Sequence, residues 1–228
     1  TLFLVAILSV NFTVFGQQNF KKVEALLDSY ELVKAQRILE ENYKKSELGQ
    51  LYLGDINSHF KKWDKAIAYY EDLVNLKPNS ALYNFKLGGA LGMKAMEISK
   101  FQAAFLIPDI KEHLEKAVTI DPGHIESRRA LAQLYLELPS VLGGGLDKSL
   151  IHAKKLEELS KLDYRIAMAF VFSYKEKDDV SGKIIKQAIK ESKESPQLII
   201  RNYLYFELAQ EAVRFQVATS EVDDLMQK

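Results

Sequence analysis

The stretch Leu51–Ser80, "LYLGDINSHFKKWDKAIAYYEDLVNLKPNS", decides the fold. Gly54 is followed by Ala66 twelve residues on, and Ala66 by Pro78 another twelve on. Trp63 stands three before Ala66 and Tyr70 four after it. Within "DKAIAYYEDLVNL", Ala66, Tyr70 and Val74 recur every fourth residue with Ile67 and Leu73 beside them, which is the period of an amphipathic α-helix. The spacing predicts a hairpin of two helices. Small Gly54 and Ala66 allow the helices to cross closely, Trp63 and Tyr70 fill the groove to the next hairpin, and Pro78 stops the second helix because it lacks a backbone N–H.

Working outward, the pattern recurs. "ALYNFKLGGALG" places Leu87-Gly88 34 residues after Leu53-Gly54. "IKEHLEKAVTIDPGH" repeats the second helix, with Ala117 and Pro122 matching Leu73 and Pro78. Pro78 to Pro122 is 44 residues, so about ten are inserted near "EISKFQAAFL", between Glu97 and Leu106. A third unit opens with "IESRRALAQLYLEL", where Leu131-Ala132 takes the Leu-Gly place, and continues with "DKSLIHAKKLEELSKLD". "VEALLDSYELVKAQRILEENYKK" and "RIAMAFVFSYKEKDDVSGKIIKQAIKESKESP" read as degenerate first and fourth hairpins. All five prolines are expected between helices, and no run of polar and apolar alternation predicts a strand.

A unit of 34 residues and two helices resembles the tetratricopeptide repeat. Structural repeat positions are Gly54, Trp63, Ala66, Tyr70, Pro78, Gly88, Ala117 and Pro122. The resemblance implies an all-α, right-handed solenoid of antiparallel hairpins at about 20–45, 47–78, 81–122, 125–162 and 163–195, with a C-terminal cap at 197–227. Such a stack presents its first helices on a concave side that takes peptides. The register puts Asp55, Ser58 and His59 of one unit there, then Phe85, Gly89 and Met93, then Arg129, Gln133 and Glu137. These are either a partner-binding groove or merely solvated helix residues.

"LPSVLGGGLDKSL", Leu138–Leu150, invites a different reading, a loop around a phosphate. A P-loop needs a strand and then Gly-Lys-Ser/Thr, but Asp147 precedes Lys148-Ser149 and would repel phosphate. In the repeat register Ser149 takes the place of Ala66, and about five residues are extra within the hairpin turn, where glycine supplies positive φ. Lys148 is then a surface residue at a helix start. This turn is also similar to repeats in the periplasmic tetratricopeptide component of TRAP-type transporters and in the mitochondrial regulator-of-microtubule-dynamics family. Gly88, Gly89 and Gly92 weaken their helix by about 1 kcal/mol each relative to alanine. Either a close helix crossing with a kink, or backbone exposed to a ligand, accounts for them.

Composition narrows the function. The 228 residues are 47% hydrophobic and 27% charged, which suits a folded chain. Thirty-one basic and 31 acidic residues balance, leaving no long-range attraction to nucleic acid or an anionic membrane. There is no cysteine, hence no disulfide, no thiolate metal site and no Cys nucleophile. The four histidines are isolated from one another; His113 and His152 are expected in solvent, and no metal or cofactor is expected. Residues 1–16, "TLFLVAILSVNFTVFG", are uncharged and too short to span a bilayer comfortably, and are expected to be a signal peptide ending before Gln17. They resemble secretory signals of Bacteroidetes-type bacteria. The reading is a non-catalytic interaction scaffold of the bacterial envelope, periplasmic or secreted. It binds a protein or peptide and no nucleic acid, and has no membrane span in its mature form. The alternative is a small-ligand-binding accessory protein of a transporter, with Met96, Phe101 and Phe105 lining an apolar pocket.

Overall fold

The computed structural model describes residues 20–198 and 204–217, and every regular element among them is helical. A first helix, α1, is described from 20 to 28. It is followed by α2 (Leu32–Asn42), α3 (Glu47–His59), α4 (Trp63–Leu76), α5 (Ala81–Glu97) and α6 (Lys100–Ile120). Then come α7 (Ile125–Glu137), α8 (Leu146–Leu159), α9 (Lys161–Tyr174), α10 (Asp178–Glu194) and α11 (Leu204–Arg214). Short 3₁₀ turns cover Ser140–Leu142 and Pro196–Leu198. The chain divides into two compact units, one up to Leu106 and the other from Ile107. Residues 1–16, where a signal peptide is expected, and the last residues of the expected cap lie outside the described residues.

Within the first unit, Val23, Ala35, Leu39, Leu53 and Ile56 form a buried cluster contributed by α1, α2 and α3. Gly54 faces Tyr70 of α4 so closely that a Cβ there would overlap the ring. Tyr70 therefore lies on the small residue of its own hairpin, and Ala66 beside it is fully buried. Trp63 bridges between hairpins: its Nε1 donates to the Glu97 carboxylate at 2.8 Å, 34 residues on. In the second unit, Leu162, Ile166 and Ala169 of α9, Ile185, Ala188 and Ile189 of α10, and Leu204, Leu208 and Ala212 of α11 form one core cluster. A smaller cluster joins Ala132, Ala153, Leu156 and Ala167.

Two of the deviations from the 34-residue period take physical form here. The residues expected as an insertion after Glu97 do not make a loop. They lengthen α5 to 17 residues and α6 to 21, leaving a two-residue joint. Pro108, expected between helices, lies inside α6. Its ring removes one i→i−4 hydrogen bond but leaves the helix continuous from Lys100 to Ile120. The second deviation is the glycine turn between α7 and α8. Gly143 and Gly145 adopt φ +84° and +154°, and a Cβ on Gly144 would overlap the Leu138 carbonyl. No strand precedes this turn among the described residues, so it is a hairpin connection.

The uninterrupted hairpins share one turn. Tyr30, Lys61 and Glu176 take left-handed φ of 55–56° two residues past the ends of α1, α3 and α9. Around each, two crossed backbone bonds tie up the last carbonyls: Lys61 N–H to Ser58 O at 3.0 Å and Lys62 N–H to Asn57 O at 2.8 Å, for example. This is the Schellman arrangement. Gln216 closes α11 in the same way, with Val217 N–H on Ala212 O. The joints between hairpins also repeat. Asn84 donates to Pro78 O at 2.9 Å, and Arg128, 44 residues later, donates to Pro122 O at 2.7 Å.

Candidate functional site

In the first unit the first-helix residues meet on a hydroxyl. Asp55 accepts from Tyr70 Oη at 2.6 Å and from Lys86 Nζ at 2.7 Å, so one carboxylate ties α3, α4 and α5. Ser58 Oγ lies 3.2 Å from the same Tyr70 hydroxyl. Burial, followed by the Asp55 charge, pushes the Tyr70 phenol well above its ordinary pKa, so the hydroxyl stays a donor. His59 is exposed and meets Phe60 edge to face. Phe85 and Gly89 are half-buried on α5, and Met93 is 43% exposed one turn further. A Cβ on Gly89 would meet nothing within 4 Å. The three make an apolar strip with a gap at its centre, bordered by the Asp55–Lys86 pair. The helix cost of Gly89 is therefore not offset by a close crossing at that residue, since the space above it is open.

In the second unit Arg129 is already engaged. It donates to both oxygens of Glu207 on α11 at 2.8 and 2.7 Å, and stands 3.2 Å from Asp163 on α9, whose side chain is fully buried. Arg165 holds Glu191 in a second two-pronged pair at 2.8 and 2.6 Å. Those bonds bring the Glu191 carboxyl down to about 2 despite its partial burial. Gln133 bonds to Glu137 along α7 at 2.7 Å, on the exposed side. Of the residues projected onto a groove, Asp55 and Ser58 are brought together on the Tyr70 hydroxyl, and Arg129 is drawn into a network with α9 and α11. Asp163 and Glu207 were missed from sequence. Asp163 lies 34 residues after Arg129, so applying the repeat register to charges as well as to apolar positions would have found it.

His152, expected in solvent, is instead half-buried and stacks on Tyr135 with centroids 5.7 Å apart. Burial first, and the Arg128 charge second, hold its pKa down to about 4. His124 caps α7 through Nδ1. Met96, Phe101 and Phe105, expected to line a pocket, are 67%, 76% and 68% exposed; the two rings pack edge to face at the surface. Among the described residues no group of three or more His, Asp or Glu is placed to hold a metal ion. Nor is any helix there long and apolar enough to cross a membrane.

Solved structures share this fold. TTC0263, a tetratricopeptide protein of Thermus thermophilus, superposes with a TM-score of 0.65 at 14% identity, covering 87% of this chain and 99% of its own. A tetratricopeptide protein of Parabacteroides merdae gives 0.57 at 15% identity over 93% of this chain and 79% of its own. YrrB, described as having an unusual peptide-binding site, gives 0.51 at 16% identity over 79% and 88%.

The fold is tetratricopeptide-like.

No protein-family model and no curated protein sequence matches the chain. The tetratricopeptide-like fold gives the positions above their meaning. Gly54 and Tyr70 form the crossing within a hairpin, Asn84 and Arg128 secure the joints between hairpins, and α3, α5, α7 and α9 are the first helices.

Proposed function

We propose that this chain is a non-catalytic interaction scaffold that holds a peptide or protein segment along its first helices. The observation that carries the reading is the strip Phe85–Gly89–Met93 on α5. It is apolar, open above Gly89, and bordered by the hydrogen-bonded Asp55–Lys86 pair. An apolar strip with a polar border suits an amphipathic segment whose side chain enters the gap. The tetratricopeptide-like fold supports it, because a stack of hairpins offers an extended surface and no enclosed reaction chamber. His59, Gln133 and Glu137 add adaptable polar groups on the first helices, whereas Arg129 serves chiefly to hold α9 and α11.

The test is Gly89→Arg. Its side chain enters open space, so the fold is kept while the gap is filled. Partners recovered by affinity capture from the envelope fraction are expected to be lost with Gly89→Arg and kept with Lys190→Glu on α10. Partners that bind Gly89→Arg as well as the parent would move the binding surface elsewhere. For location, we propose export through residues 1–16, with the mature chain beginning at Gln17 in the periplasm or outside the cell. Mass analysis of exported protein that retains residues 1–16 would refute cleavage there. No nucleic-acid partner is proposed, since basic and acidic residues balance.

A further inference from the structure

The apolar positions that α5 leaves open are arranged symmetrically about Gly89. Phe85 lies four residues before it and Met93 four after, while Leu82 lies seven before and Met96 seven after. At about 100° per residue, these five positions fall within an arc of about 80°. They form one stripe along the 17-residue helix. Leu82, Met93 and Met96 are exposed and Phe85 is half-buried, so the stripe is uncovered along its length.

The glycine at the centre of the stripe has no role within one chain. It weakens the helix relative to alanine, yet a Cβ there would meet nothing within 4 Å, so no neighbouring element requires its absence. A helix crossing from outside does require it, because two helices approach most closely where a side chain is missing. A stripe that reads alike in both directions from a small residue is what a two-fold contact demands: residue i of one copy meets j of the other, and j meets i. With the axis at Gly89 and the helices antiparallel, Leu82 of each copy faces Met96 of the other, and Phe85 faces Met93. Gly92, three after the centre, faces Lys86, three before it, and leaves room for that side chain. The three charges of α5 are each paired within their own chain: Lys86 with Asp55 at 2.7 Å, Lys94 with Asp64 at 2.5 Å and Glu97 with Lys61 at 3.5 Å. A second copy therefore meets no uncompensated like charge. A foreign helix would also cover apolar side chains, but it places no demand on symmetry about Gly89.

We propose that this stripe is the docking site for α5 of a second copy of the chain, crossing antiparallel at Gly89. The proposal rests on the reading of the strip as an open protein-binding surface and names its occupant. Four apolar side chains from each copy bury on the order of 1,000 Å² in total, the low end for specific association. The dimer is therefore weak and dissociates on dilution, so melting of dilute protein reports the single chain. Because the two stripes cover each other, self-docking and the holding of another segment exclude one another.

The experiment uses the full chain, which has no cysteine, so each introduced thiol is the only one. Under mild oxidation Gly89→Cys is expected to form a covalent dimer, since the two copies of that position meet on the axis within disulfide reach. Leu82→Cys and Met96→Cys are expected to cross-link poorly alone and well when mixed, whereas Lys190→Cys, in the other unit, does not cross-link. Sedimentation equilibrium of the cysteine-free parent is expected to show a monomer–dimer equilibrium. Met96→Glu, which sets a charge against Leu82, should weaken it about tenfold or more, and Gly89→Arg should abolish it. A parent that stays monomeric across the concentration range overturns the proposal. So does a Gly89→Cys chain that cross-links no faster than Lys190→Cys, or a dimer that Met96→Glu leaves unchanged. The strip itself is judged separately. Other partners captured by a monomeric parent and lost in Gly89→Arg keep the strip as a binding surface and remove only the second copy as its occupant. The expected cross-links, alongside partners that Gly89→Arg still captures, keep the second copy and remove the peptide. Circular dichroism of Met96→Glu and Gly89→Arg separates loss of docking from loss of the fold.

Discussion

At the scale of single residues, the second unit places charge where removing one partner is costly. Asp163 is fully buried and its guanidinium neighbour is Arg129. Arg129→Ala leaves that carboxylate without its cation, and urea denaturation should show a loss of about 3 kcal/mol. Glu207→Gln keeps Arg129 on Asp163 and should cost much less. His152 gives a pH signature. Its pKa falls from 6.5 to about 4 on folding, so the unfolded chain takes up a proton first as pH drops. Stability contributed by the neutral imidazole is full above about pH 6.5 and is lost progressively toward pH 4. His152→Phe keeps the stack on Tyr135 and removes the titration. Its melting temperature should therefore fall less than the parent's between pH 7 and pH 4.5; parallel curves would show that other groups dominate.

Helices and turns show how much of a repeat is carried by short-range chemistry. The uninterrupted hairpins reverse on Tyr30, Lys61 and Glu176, all left-handed and none glycine. An L side chain there costs about 1 kcal/mol or more, compensated by the crossed backbone bonds. Lys61→Gly should therefore raise stability by about 1 kcal/mol, less glycine's greater entropy in the unfolded chain; chemical denaturation would show a loss if Lys61 contributes a contact that outweighs the strain. Nothing in the sequence marks these turns, because lysine, tyrosine and glutamate carry no left-handed preference. The glycine turn was legible for the converse reason: three consecutive glycines mark positive φ and close backbone approach. The residues after Glu97 were harder to read. Extra residues lengthen a helix or bulge into a loop with the same count, and Pro108 argued for a break that the continuing backbone bonds of α6 did not make.

At the scale of the whole molecule, the repeat offers surfaces of two kinds. The strip on α5 is apolar and open, while the first helices of the second unit are cross-linked by charge. Gly89→Arg separates binding from stability. Arginine is the better helix former by roughly 1 kcal/mol and meets open space, so the melting temperature should hold or rise while partner capture is lost. A fall in melting temperature would mean that the gap above Gly89 is structural.

The amino-acid sequence alone determined the helical hairpin, its small crossing residues and its 34-residue period, because these follow from local periodicity and from steric limits at fixed spacing. That is why Leu51–Ser80 sufficed to name the fold class. Only the tertiary structure decided which polar residues are occupied. Asp55 belongs to Tyr70 and Lys86, Arg129 to Asp163 and Glu207, and His152 to the Tyr135 face, each through partners 15 to 78 residues distant or on another helix. A hydrogen bond depends on where a side chain ends, not on where it begins. The reach of Arg129 across α9 to α11 is therefore invisible until the helices are packed.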